Sequence, residues 1–136
     1  MNIIIRYLVI YIISCCLILC FDFVWFTTYS FKHLYKPMFL SINNTSNFFY
    51  RKTAAVFSYL FLGIILTTLW GKFSDQTHFY LTGAIAGLFI YGTYNLTNLA
   101  TIKNYTVLTT IIDTLWGTLL FGLICLILPY IPLKTK

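Results

Sequence analysis

Four long apolar runs decide what this chain can become. They are Ile3–Phe26, Thr53–Trp70, Phe79–Leu99 and Val107–Leu128, separated by polar connections. A helix needs about 20 predominantly apolar residues, within a range of roughly 17–25, to cross the hydrocarbon of a bilayer. All four runs fall in that range, the second at its short end. Strands of a membrane barrel would be half as long and would alternate polar with apolar residues, which these do not. Helices remain, because they satisfy every backbone polar group within the segment. The expected fold is all-α: residues 1–136 form a single four-helix transmembrane domain, an integral membrane bundle with a longer polar connection between helices 1 and 2.

Composition agrees. The chain is 60% hydrophobic and 9% charged, against about 25% charged in a soluble domain. So much apolar residue also excludes disorder. Aromatic residues form two belts, as amphipathic rings do at membrane surfaces. Tyr7, Trp70, Tyr80 and Tyr130 mark one side, called A, and Trp25, Tyr29, Tyr50 and Tyr105 mark the other, called B. Trp116 fits neither belt. The first run exceeds a signal-peptide core and no small-x-small cleavage site follows it, so it reads as a retained helix.

The formal net charge is +6, which suits contact with anionic headgroups. The bilayer is the expected partner. Nucleic acid is not, because the cations are divided between the two sides. The same division leaves the orientation, and the membrane concerned, unassigned by the positive-inside rule. Cys15, Cys16, Cys20 and Cys125 all lie within apolar runs without a CxxC pair, so they read as packing residues. No metal site and no cofactor is expected.

Residues 27–52 make the longest polar stretch. Tyr29–Lys36 reads as a short interfacial helix ending before Pro37, and Ser41–Asn47 as a turn. Runs three and four are joined by only Ala100–Thr106, so they should be antiparallel neighbours. Gly83 and Gly87 form a GxxxG match, which places that face of run three against protein.

Polar groups at membrane depth are the functional signal. Threading the runs back and forth brings Asp22, Asn95, Asn98 and Asp113 to the side-B half. Asp22 then lies roughly 6 Å and Asp113 roughly 9 Å inside their helix ends. An ionisable group facing lipid costs roughly 2.5–3.5 kcal/mol at a helix centre, so both carboxyls should turn inward toward donors. Asp22 shares a helical face with Trp25, Asp113 with Trp116, and Asn98 with Tyr94, while Asn95 lies on the shoulder of that face. The expected pocket is Asp22, Trp25, Tyr94, Asn95, Asn98, Asp113 and Trp116, with His33, Arg51 and Lys52 on its rim. Asp22-x-x-Trp25 and Asp113-x-x-Trp116 share one spacing in helices of opposite direction, too little to establish an inverted repeat.

The run from Tyr91 through Tyr94, Asn95, Thr97 and Asn98 to Thr101, followed by Asp113, Trp116 and Gly117, resembles the signature of a family of short predicted membrane proteins of unknown function. Asp22-x-x-Trp25 resembles that family's N-terminal motif. In that family an Asp commonly stands at the position of Asn95, so one carboxylate is absent here. The resemblance implies the topology and the site and assigns no activity.

Three functions follow from the pocket. The first is transport of a small polar solute or cation, coupled to protons or not, through a pocket open to one side. A homo-oligomer is then expected, because one four-helix chain leaves little room for a pathway. The second is a membrane enzyme on a lipid or isoprenoid substrate, which no HExxH, GxSxG or DxxxD-like pattern supports. The third is a structural or assembly subunit in which the cluster only fixes helix packing.

Overall fold

With no water in hydrocarbon, each helix must close its own backbone hydrogen bonds, and the chain does so almost end to end. The structure, a computed structural model, describes residues 2–43 and 52–131. Helix α1, Ile3–Trp25, starts at Asn2, whose side chain accepts from the Ile4 N–H at 3.1 Å. It does not end at the predicted boundary. It passes into a wide π-helical stretch, Phe26–Tyr35, and then into α2, Lys36–Asn43, so that Ile3–Ile42 is one continuous helix.

This differs from the expected short interfacial helix, and the hydroxyl residues supply the reason. Thr27 and Thr28 each donate to a carbonyl of the preceding turn at 2.7 Å, and Ser30 donates to the Trp25 carbonyl at 3.3 Å. They bind polar backbone locally and need no loop to do so. The stretch then widens: the Lys36 N–H reaches back five residues to the Phe31 carbonyl. Pro37 follows, with no N–H to place, where a ladder already displaced tolerates it. Of the predicted turn, Ser41–Asn43 is helical and residues 44–47 lie outside the described residues.

The remaining helices are α3 (Lys52–Phe73), α4 (Phe79–Thr101) and α5 (Val107–Ile127), the last closed by a 3-10 turn at Leu128–Tyr130. The continuous first helix, α3 and α5 with its closing turn are each long and apolar enough to span a membrane. Helix α4 has 23 residues but is less apolar, because its second half carries Tyr91, Thr93, Tyr94, Asn95, Thr97 and Asn98.

The four long helices pack as two pairs. Helices α4 and α5 lie together along their whole length, as their short connection predicts, and α1 lies against α3. Asn104, at φ 67°, turns the α4–α5 connection, and the Thr106 hydroxyl caps α5 by accepting from the Thr109 N–H at 3.1 Å. Glycines allow the closest approach. A Cβ on Gly83 would lie 2.6 Å from the Phe121 carbonyl oxygen, and one on Gly87 would meet the Gly117 backbone.

The apolar core lies toward side A. Ile10, Leu66, Trp70, Phe79, Phe121, Ile124 and Leu128 are all buried there, which also places both described ends of the chain at that side. Tyr7 meets Trp70 edge-on at 5.7 Å, and the Arg6 guanidinium stands 5.9 Å from the Trp70 ring centre. Toward side B the two pairs are joined by polar and aromatic side chains instead.

Candidate functional site

Between the pairs, in the side-B half, lies a cavity of about 560 Å³. Asp22 and Asp113 both stand on its wall, so both carboxyls face the bundle interior. Each is held in its own set of neutral donors.

Asp113, on α5, is 5% exposed. It accepts from the Tyr35 hydroxyl and, at 2.8 Å, from the Asn95 side-chain amide. Asn95 is fully buried and completes a chain of bonds. Its amide nitrogen also donates to the Tyr91 carbonyl at 2.9 Å, and its oxygen accepts from the Tyr105 hydroxyl at 2.7 Å. Tyr105 lies in the connection between α4 and α5. Burial pushes its hydroxyl up to about 12, against the lowering effect of its bond with Asn98. It therefore remains a donor across the physiological range.

Asp22, on α1, accepts from the Trp116 indole N–H at 2.8 Å, with the Tyr59 hydroxyl of α3 beside the same carboxyl. The Trp116 ring stacks on Trp25, with ring centres 4.7 Å apart and planes 9° from parallel. This explains why Trp116 belonged to neither belt: its ring is one half of an interior stack, and its N–H ties α5 to α1. The two Asp-x-x-Trp segments thus meet through their tryptophans, but not reciprocally. The Trp25 indole nitrogen is buried with no hydrogen-bond partner among the described residues.

Of the residues predicted for the pocket, Asp22, Trp25, Tyr94, Asp113 and Trp116 line the cavity. Asn95 sits behind Asp113, and Asn98 serves Tyr105 off the cavity wall. Tyr94, at 61% exposed, stands at the mouth. His33 and Lys52 do not line the cavity: His33 is exposed and stacked on Tyr29 at 5.1 Å, and Lys52 is exposed at the start of α3. Arg51 lies outside the described residues. Among the described residues no Lys or Arg pairs with either carboxyl, and no group of three or more His, Cys, Asp or Glu is placed to hold a metal ion.

Sequence reasoning missed Tyr35, Tyr59 and Tyr105 as partners of the cluster. A signal existed for α3, where Ala55, Ser58, Leu62 and Ile65 recur at helical spacing around Tyr59, the single tyrosine of that helix. None existed for Tyr35. At ordinary α pitch it would emerge roughly on the far side of the helix from Asp22. The wide turns of Phe26–Tyr35 slow that rotation and bring it to Asp113.

The family model described as Predicted membrane protein (DUF2177) matches residues 7–128, and this chain belongs to that family. No curated protein and no solved structure matches the chain. The matched segment takes in every residue of the two carboxyl clusters.

Proposed function

We propose that this member of the DUF2177 membrane proteins binds a small cation or cationic solute between Asp22 and Asp113 and carries it across the bilayer. One observation carries the reading: two carboxyls share one cavity at membrane depth, and among the described residues each is surrounded by neutral donors with no Lys or Arg beside it. A desolvated carboxylate is costly unless something neutralises it. Neutral hydrogen bonds orient such a group and leave its charge uncompensated, so a cation or a proton completes the site. Exchange of one for the other would couple cation movement to protons.

The donor chains also suit a carrier. Tyr35 belongs to the first helix, Asn95 to α4 and Trp116 to α5, so the clusters join the two helix pairs through hydrogen bonds. Such bonds average about 0.6 kcal/mol in one membrane protein, so separating the pairs at side B costs less than opening the apolar side-A core.

The test is flux in proteoliposomes loaded with a pH-sensitive dye, with gradients of Na⁺, K⁺, tetramethylammonium and the bulkier benzyltrimethylammonium imposed in turn. Wild type should move at least one of these, and Asp22→Asn and Asp113→Asn should fold and lose the flux. If both variants lose thermal stability and wild type moves no cation, the cluster is helix-packing glue and the proposal fails.

A further inference from the structure

We infer that the ligand is an organic cation with an apolar body, and that it enters sideways from the bilayer through the gap between α3 and α4. This rests on the cavity being a cation site, and it names which cation.

The wall argues against a bare inorganic ion. Calcium takes six to eight oxygen ligands, and magnesium keeps most of its water. Here three of the four carboxyl oxygens of Asp113 and Asp22 already accept from Tyr35, Asn95 and Trp116, and most of the remaining wall is carbon, so the six or more oxygens such an ion needs are not offered. Ring faces do attract a desolvated cation within about 6 Å. Trp25, Tyr59, Tyr91 and Trp116 surround the two carboxyls, so charge is met by carboxylate and bulk by rings. The volume of about 560 Å³ lies well inside the roughly 300–1,000 Å³ of small-molecule sites and far exceeds what a metal ion fills.

The mouth gives the route. Ser58 and Phe61 on α3 and Tyr94 on α4 belong to the cavity wall and are exposed, Phe61 to 63%. Phe61 is nine residues beyond Lys52, roughly 14 Å along α3 at 1.5 Å per residue, so this opening lies at hydrocarbon depth. Helices α3 and α4 are tied by the short turn Ser74–His78 at side A and touch little elsewhere. A solute dissolved in the bilayer thus meets an aromatic doorway with two carboxyls behind it. A phospholipid head is a poor occupant. Among the described residues, no Lys or Arg lines the cavity to meet its phosphate.

The test uses wild type in phosphatidylcholine nanodiscs and follows quenching of tryptophan fluorescence, which Trp25 and Trp116 report from the wall. The probes are tetraphenylphosphonium, its isosteric anion tetraphenylborate, and tetramethylammonium. Saturable quenching is expected with tetraphenylphosphonium, at least tenfold weaker with tetramethylammonium and absent with tetraphenylborate. Asp22→Asn and Asp113→Asn should each weaken the first at least tenfold. Ser58→Trp, on the doorway and away from the carboxyls, should slow its association without raising the dissociation rate.

Equal binding of the two tetraphenyl ions overturns charge recognition. Asp-dependent binding of tetramethylammonium that is as tight as that of tetraphenylphosphonium overturns the apolar body while leaving the cation site standing. Binding of no cation overturns both readings. An unchanged association rate in Ser58→Trp overturns the sideways route, and competition by phosphatidylethanolamine added to the disc overturns the exclusion of lipid heads.

Discussion

The backbone crossing of α4 and α5 at Gly87 offers the sharpest test of how the site is held. A Cβ built on Gly87 would lie 2.9 Å from the Phe121 Cβ and 2.9 Å from the Gly117 carbonyl carbon, and would overlap the Gly117 oxygen. Carbon atoms pack best at about 3.5–4.0 Å, and with the Gly117 oxygen nearer still, Gly87→Ala must part α4 from α5 by roughly 1 Å there. Overpacking of this kind costs about 1–3 kcal/mol. Replacing Gly by Ala also favours the helix by about 0.8–1.0 kcal/mol in water, which would blur a single measurement. Gly92→Ala removes that difficulty. It sits on the same helix, is also buried, and its added Cβ would find nothing nearer than Thr114 Cγ2 at 3.6 Å. The propensity gain cancels between the two variants, leaving Gly87→Ala less stable by about 1–3 kcal/mol. Unfolding by SDS titration in mixed micelles, read by tryptophan fluorescence, measures the difference. The same parting should stretch the 2.8 Å Asn95–Asp113 bond toward the limit of about 3.5 Å beyond which a direct bond is lost. A Gly87→Ala protein as stable as Gly92→Ala would refute the close crossing, and with it the account of how Asn95 is brought to Asp113.

Four further outcomes are expected. Trp116→Phe keeps the stack on Trp25 but removes the donor to Asp22, and should cost about 1–2 kcal/mol in the same SDS titration. Asn95→Ala strips an amide donor from Asp113 and the acceptor from Tyr105, and should cost about 2–3 kcal/mol and lower the melting temperature more than Trp116→Phe does. Tyr105 ionises only near 12 when folded, against 10.0 unperturbed; its contribution is thus fully present below about pH 10 and lost as pH rises through about 12. The alkaline loss of stability over that window should be shallower in Tyr105→Phe, measured by thermal melts at stepped pH. Finally, cysteine tags placed at the two ends of the chain should react with an impermeant maleimide from the same side of sealed vesicles, because the start of α1 and the end of α5 share the side-A core.

The sequence alone determined the membrane class and the four long helices, and it set the expected depth of the polar groups. Bilayer thickness fixes how long an apolar run must be, and the cost of exposing a carboxyl to lipid turns Asp22 and Asp113 inward whatever their neighbours. The short link before Val107 likewise fixed the α4–α5 pair. Partners were a different matter. Trp116 could be seen as misplaced, but not as the donor to Asp22, since 94 residues separate them and only packing of the pairs brings them together. Asn98 lay on the predicted face and Asn95 on its shoulder, yet it is Asn95 that bonds both Asp113 and Tyr105, while Asn98 bonds Tyr105 off the cavity wall. Tyr35 marks the limit most clearly. Its approach to Asp113 depends on wide turns from Phe26 to Tyr35. Helical periodicity cannot foresee such turns, because it assumes one pitch throughout a run and a change of pitch turns every later side chain to another face.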